Sequence, residues 1–281
     1  MSTPTLPHPL TGGAYASPVP PGTGWPDDPA DAKTPVARTA EEVVALSTDA
    51  DLDELTARVS VCRACARLVR WREEVAVHKR ASYAGEPYWG RPIAGWGDAS
   101  PSVLVVGLAP AANGGNRTGR IFTGDRSGDW LFGALHRAGL AAQATSEHAG
   151  DGQRLIGTRM VAAVRCAPPG NKPTPEERDT CAPWLRRELG LLRASLRVVV
   201  CLGSFGWDAV LRESGSLGCE VPRPRPRFGH GVEVVMTPQD GPSFTVLGCY
   251  HPSQQNTFTG RLTEPMLDAV LDRARTLAGR R

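Results

Sequence analysis

Hydrophobic residues along this chain fall into two arrangements that alternate. Short continuous apolar runs, VLVVG at 103–107, TRMVAAVRC at 158–166, RVVVCLG at 197–203, EVVMT at 233–237 and SFTVLGCY at 243–250, predict strands. Between and after them lie helical patterns. DWLFGALHRAGL at 129–140 has Ser127 or Asp129 as its cap, and TPEERDTCAPWLRRELGLLRAS at 174–195 carries a proline and acids in its first turn. SFGWDAVLRESG at 204–215 is capped by Ser204, and EPMLDAVLDRARTLAG closes the chain at 264–279. Ahead of the first strand, a helix begins near Thr39 and runs through AEEVVALSTDADLDELTARVSVC, and a second spans CARLVRWREEVAVHKR. Strands alternating with helices pair in parallel, so the fold class is α/β, a three-layer α/β/α sandwich with a central, mainly parallel sheet.

Two segments lack a period. Residues 1–38 are rich in Pro, Gly and Ala and read as a disordered tail, leaving 39–281 as a single domain. YAGEPYWGRPIAGWGD at 83–98 has too many glycines and prolines for a helix and reads as an ordered loop pinned by its aromatic residues. In open parallel sheets, ligands bind beyond the carboxyl ends of the strands. Those ends are the loops after Val106, Val164, Leu202 and Tyr250.

Composition narrows the class. The 281 residues are 41% hydrophobic and 22% charged, as in soluble globular proteins. No apolar run approaches the roughly 20 residues of a membrane span, and the opening MSTPTLPHPLTGG lacks a signal-peptide core, which places the protein in the cytoplasm and off membranes. A net charge of +3 permits a nucleic-acid partner without demanding one. Lysine occurs only at 33, 79 and 172, so arginine supplies most of the positive charge, which suits phosphate contacts but equally reflects arginine-rich codon usage.

Seven cysteines in such a chain argue for metal or redox use rather than disulfides. Cys62 and Cys65 form a C-x-x-C between the two first helices. Cys166 follows the second strand and Cys181 lies in the helix beyond. Four such thiols ligate zinc or an iron–sulfur cluster, and with every ligand supplied by the protein the site is structural. Cys201 and Cys249 lie inside apolar strands as small hydrophobes; Cys219 has no role.

Three loops carry candidate chemistry. GLAPAANGGNRTGRIFTGD, Gly107 to Asp125, follows the first strand. It is neither a Walker A loop nor a GxGxxG turn. Phe122 beside exposed backbone N–H groups suits a flat, hydrogen-bonding ring, the competing reading being core packing. In CAPPGNKPTPEE, Asn171 and Lys172 sit between prolines, which either aims an amide at the same cleft or only precedes the helix. HPSQQNTFTGRLT holds His251 rigidly at a strand end, followed by the uncharged donors Ser253, Gln254, Gln255, Asn256 and Thr257.

Together these three loops, YWGRPIAGWGD and the four cysteines resemble the uracil-DNA glycosylase superfamily, and within it the fifth family, the type B enzymes, over roughly residues 50–275. The resemblance implies a 4Fe–4S cluster on Cys62, Cys65, Cys166 and Cys181. It also implies excision of a damaged base, flipped out of double-stranded DNA, by a monomer that leaves an abasic site. Phe122 would stack on the base, with Gly107 and Ala111 lining its pocket. His251 would hydrogen-bond the departing base. Asp125 and Asn171 would position the water, and Ser253 and Asn256 would bind substrate beside Gln254 and Gln255 in the minor groove. Two departures stand out: Leu108–Ala112 are all apolar, and Ala162 stands where stringent uracil readers carry Asn. Ala162 implies relaxed choice, extending to hypoxanthine. Two other classes compete. One is a non-enzymatic, metal-stapled nucleic-acid-binding protein using the basic arm RPRPRFGH, 223–230, and the other is an iron–sulfur redox protein.

Overall fold

A computed structural model describes residues 4–279. In chain order its elements begin with β1 (Leu6–Pro7), β2 (Ala14–Tyr15), α1 (Ala40–Thr48), α2 (Leu52–Ser60) and α3 (Ala66–Val77). There follow β3 (Trp96–Gly97), β4 (Val103–Gly107), α4 (Gly115–Thr118), α5 (Arg126–Arg137), β5 (Thr158–Ala162) and α6 (Pro175–Leu192). The last are β6 (Val198–Leu202), α7 (Ser204–Ser216), β7 (Glu233–Met236), β8 (Phe244–Cys249), α8 (Gln254–Phe258) and α9 (Glu264–Leu277).

The central sheet runs β3-β5-β4-β6-β8-β7. Its four inner strands pair in parallel, and β3 and β7 close the two edges antiparallel. The inner strands are buried along their whole length, which is why they read as continuous apolar runs. Alternate side chains serve opposite layers. Val103 and Val105 pack with Leu131 and Leu135 of α5 and Leu267 and Leu271 of α9. Leu104 and Val106 pack with Leu185 and Leu189 of α6 and Trp207 and Val210 of α7. Edge strand β7 alternates exposed and buried, the mark of a strand with one wet face. The fold is the expected three-layer sandwich.

Several local expectations are corrected. The helical stretch after Thr39 is two helices, because Asp51 builds a second capping box with Glu54 and restarts the chain. Helix α5 begins at Arg126 and is capped by Asp125, neither Ser127 nor Asp129. Ser204 does not cap α7; Gly203 occupies that position and contributes no side chain.

Of residues 1–38, expected to be disordered, 4–38 are packed onto the domain, and 1–3 lie outside the described residues. Tyr15, Val19 and Trp25 are buried in the main core. The Val19 amide donates to the Trp89 carbonyl at 3.0 Å, and Arg91 pairs with Asp28 at 2.8 Å. An extended segment anchors through single side chains between prolines and glycines, so it carries no period for a sequence pattern to register. The loop 83–98 is ordered as expected, with Tyr88, Trp89 and Ile93 buried.

Candidate active site and cysteine chamber

The parallel strands deliver their loops to one end of the sheet. Gly107 ends β4 and pairs in register with Ala162, which ends β5. Phe122 sits directly above: a Cβ on Gly107 would lie 2.6 Å from the Phe122 ring. Phe122 has φ 53°, a left-handed conformation that costs a bulky residue about 1–3 kcal/mol and is kept where surrounding structure enforces it. Here the enforcement comes from α5, whose Gly128 approaches the Phe122 carbonyl so closely that no side chain would fit. Strand β8 brings His251 to the same place, 5.8 Å from the Phe122 ring between centroids and tilted by 39°.

His251 is held without being hydrogen-bonded through its ring. Its Nδ1 is buried and unpartnered. The Asn256 amide donates to its backbone carbonyl at 2.8 Å and fixes the turn. Burial lowers the imidazole pKa to about 4, so the ring is neutral at physiological pH. A neutral imidazole with uncommitted ring nitrogens is a hydrogen-bond donor to whatever enters beside Phe122.

The same loops border a cleft of about 860 Å³, whose lining does not include Gly107, Phe122, His251, Ser253 or Asn256. Ala111, Asp125, Asn171 and Gln254 line it, together with Trp71 and Tyr83. The first, second and last loops therefore converge as expected. Asp125 caps α5 by accepting from the Gly128 amide at 3.0 Å, and burial pushes its carboxyl pKa up despite that bond. Its other oxygen lies against Gly114, where any side chain would collide. Asn171 ends a short turn at φ 56° with its side chain exposed. Ser253 stands at the start of α8, and Gln254 and Gln255 are exposed on it. Sequence reasoning missed Trp71 and Tyr83. The aromatic residues beyond the C-x-x-C were the available signal, but helical spacing alone gave them no face. Arg117 was also missed. It is buried, donates to the Gly124 and Asn113 carbonyls at 2.8 and 2.9 Å, pairs with Glu86 and covers the Tyr83 ring, so it braces the first loop from within.

The four cysteines meet away from the cleft. Cys62, Cys65, Cys166 and Cys181 border one apolar chamber with Leu68 and Trp184. Burial and the neighbouring thiols push Cys65 up to about 12 and raise Cys62 and Cys181 as well, so thiolates there require compensating positive charge. Two fully buried arginines face the group. Arg72 Nη1 donates to Cys166 Sγ at 3.0 Å, and the Arg165 amide donates to Cys181 Sγ at 3.3 Å. Arg72 Nε and Arg165 Nε and Nη1 have no partner. Among the described residues, no three His, Cys, Asp or Glu side chains are grouped to hold a metal ion. The donor set, all thiol and set around a chamber with spare guanidinium donors, fits a multinuclear cluster better than a single ion.

Residues 94–275 match the uracil DNA glycosylase superfamily. The chain is 57% identical over 273 residues to a type-5 uracil-DNA glycosylase of Mycobacterium bovis, which covers 97% of this chain and 99% of that one. It is 48% identical over 229 residues to a type-5 uracil-DNA glycosylase of Thermus thermophilus, covering 82% and 99%. A type-4 uracil-DNA glycosylase of Pyrobaculum aerophilum shares 30% identity over 129 residues, 46% of this chain and 57% of its own. Strand ends that seat Phe122 against His251, and relatives that align along nearly the whole chain, agree: the protein belongs to the uracil-DNA glycosylase superfamily, in its type-5 branch.

Proposed function

We propose that this protein excises uracil, and other deaminated bases such as hypoxanthine, from double-stranded DNA by hydrolysis. The observation that carries the reading is the pairing of Phe122, seated on Gly107, with a neutral, unpartnered His251 at the strand ends. A base inside a duplex must be flipped to reach that position, since Phe122 and the His251 Nδ1 are buried rather than on the surface. The flipped base stacks on Phe122, with the backbone near Gly107 and Ala111 along its edge.

The bond between the sugar C1′ and the base nitrogen then breaks, and its electron pair leaves with the base. The sugar takes on oxocarbenium character, as in glycoside hydrolysis. His251 donates a hydrogen bond to the base as its negative charge builds, which needs a donor and not a cation. Water held by Asp125 and Asn171 adds to C1′, and its proton is released as the base is protonated. The products are a free base and an abasic site. Ser253 steadies the strand at the loop, Asn256 holds that loop in shape, and Gln254 and Gln255 enter the minor groove.

The broad range rests on Ala162. It lies beside Gly107 and offers no amide to test a pyrimidine edge, so little polar surface is left unpaired by the wrong base. For the chamber, we assign a 4Fe–4S cluster to Cys62, Cys65, Cys166 and Cys181. Cys62 and Cys65 of the C-x-x-C, Cys166 in the segment after β5 and Cys181 of α6 would hold it. When bound, the cluster supplies the positive iron that thiolates in so buried a place require, and its role is to hold the fold.

The test uses purified protein and end-labelled duplexes carrying one uracil or one hypoxanthine, with alkali to cut abasic sites. Cleavage at both is expected. Cleavage at uracil alone would leave the enzyme and remove the account of its range, while cleavage at neither would remove the enzyme.

A further inference from the structure

The end of β8 that delivers His251 is bordered by a segment the cleft does not use. Residues 221–232, VPRPRPRFGHGV, contain three arginines and no acid; residues 250–263, which follow β8, contain Arg261 and no acid. The two stretches lie side by side. The Gly231 amide donates to the Gly248 carbonyl at 2.7 Å, and the Tyr250 amide donates to His230 Nδ1 at 3.1 Å. A Cβ on Gly248 would lie 2.2 Å from the Gly229 carbonyl oxygen, so only glycine lets the arm approach this closely.

The root of the arm is fixed while its charges are left in solvent. The Phe228 ring lies 6.1 Å from those of Trp207 and Tyr250 between centroids, and Trp207 Nε1 donates to the Pro226 carbonyl at 3.0 Å. Pro222, Pro224 and Pro226 restrict the backbone between the arginines, so little freedom remains to be lost on binding. Arg223, Arg225 and Arg227 are exposed, as is Arg261, which lies over the Tyr250 ring at 4.7 Å. Arg225 donates to the Asp208 carbonyl at 2.9 Å and stands 4.0 Å from its carboxylate. Among the described residues, no carboxylate pairs with Arg223, Arg227 or Arg261. The whole chain carries only +3, so these unopposed charges make a local positive field beside His251.

We propose that this arm, with Arg261, is a phosphate clamp for the DNA duplex, gripping the backbone beside the nucleotide that enters at His251. The inference rests on DNA being the substrate. A flipped nucleotide stays joined to its strand, so its backbone lies across the strand ends, where the arm is rooted. Guanidinium groups meet phosphate oxygens two at a time and read no base. The arm therefore sets affinity and its dependence on salt, and base choice stays with the strand-end loops.

The experiment is a fluorescence-anisotropy titration of the intact, metal-loaded protein with a labelled, undamaged duplex at a series of KCl concentrations. Each phosphate contact contributes about 0.9 to the slope of log affinity against log salt. Arg223→Gln combined with Arg227→Gln should reduce that slope by about 1–2 and weaken binding equally for undamaged and uracil-containing duplexes. Single-turnover excision of uracil should persist at saturating protein, with half-saturation moved to higher concentration. Lysine at both positions should restore the slope, since counterion release follows charge. Arg154→Gln, ahead of β5 and so at the opposite end of the strands, removes one charge and should leave the slope unchanged. An unchanged slope in the double glutamine variant, an equal effect per charge from Arg154→Gln, no recovery with lysine, or loss of excision at saturation would each overturn the clamp. The slopes are read on undamaged DNA, so they decide the clamp whether or not the parent protein excises uracil.

Discussion

The side-chain amide of Asn116 donates to the backbone carbonyl of Arg72 at 3.1 Å, joining the first catalytic loop to the helix that leaves the cysteine chamber. Arg72 extends the connection with its guanidinium, which reaches Cys166 Sγ and the Cys62 carbonyl. The same helix, α3, carries Trp71 to the cleft. The chamber and the cleft are therefore two ends of one packed unit. Cys65→Ser should lower iron content and melting temperature together. It should also slow uracil excision, because α3 loses its anchor and Trp71 its position. Loss of iron with unchanged melting and unchanged excision would break this connection. Asn116→Ala should cost about 1–3 kcal/mol of stability, the penalty of a buried hydrogen bond removed with a partner left behind, read from denaturant midpoints with the cluster intact.

His251 bears the chemical step in the proposed reaction. His251→Ala should lower the single-turnover rate of uracil excision by about 10²–10³-fold, the usual loss when a preorganised donor to developing charge is removed. Duplex affinity should change little, because the imidazole meets the base and not the phosphates. Full-rate excision by the variant would exclude His251 from the step.

Gly107 is glycine because Phe122 occupies the space a side chain would need. Gly107→Ala places a methyl 2.6 Å from the ring and must push it. Overpacking of this kind costs about 1–3 kcal/mol, and in the proposed reaction the displaced ring would no longer offer a base its face. The expected result is a modest fall in melting temperature with a disproportionate rise in KM for uracil-containing duplex. A KM unchanged from the parent would mean that Phe122 is core packing and nothing more.

The inner strands were legible in the sequence because burial on both faces leaves an unbroken apolar run. The three loops were legible because strand ends in a parallel sheet converge wherever the chain goes afterwards. The cap of α5 is less legible: Asp125, expected to position water, ends the loop and starts the helix, and no local pattern distinguishes a capping carboxylate from a catalytic one. The packing of residues 4–38 was hidden for a different reason. Val19 and Trp25 are buried by an extended chain whose hydrogen bonds go to Trp89 and other distant partners, and tertiary contacts of that kind leave no spacing behind. Trp71 and the Arg72–Cys166 contact likewise depend on how α3 docks, which a helical period does not specify.

Ala162 offers a direct test of base choice. It is buried at the end of β5, in register with Gly107, so in the proposed reaction an amide placed there would meet the base expected to stack on Phe122. Ala162→Asn should raise the ratio of kcat/KM for uracil over hypoxanthine by about tenfold or more, since an amide left unpaired by the wrong base is penalised. An unchanged ratio in a variant that still excises uracil would remove Ala162 from the account of base choice.

The histidines set the acid limit of both activity and stability. Burial lowers His251 to about 4 and His148 to about 3, and lowers His8 too. In the unfolded chain each returns to about 6.5. Between pH 6.5 and 4, therefore, the unfolded state binds more protons than the folded state, and stability falls as pH falls. His8 and His148 stand 4.2 Å apart between ring centroids, so the N-terminal segment is loosened in the same window, and charging both rings at once is opposed by their proximity. Denaturant midpoints should decline steadily from pH 7 to 4. Excision, by contrast, should stay level through pH 6.5 and fall only at lower pH, where the buried Asp125 carboxyl, itself pushed up, and then the His251 ring take up protons. A rate that falls with an apparent pKa near 6.5, in protein still folded, would mean that the working imidazole is solvated and not the buried one beside Phe122.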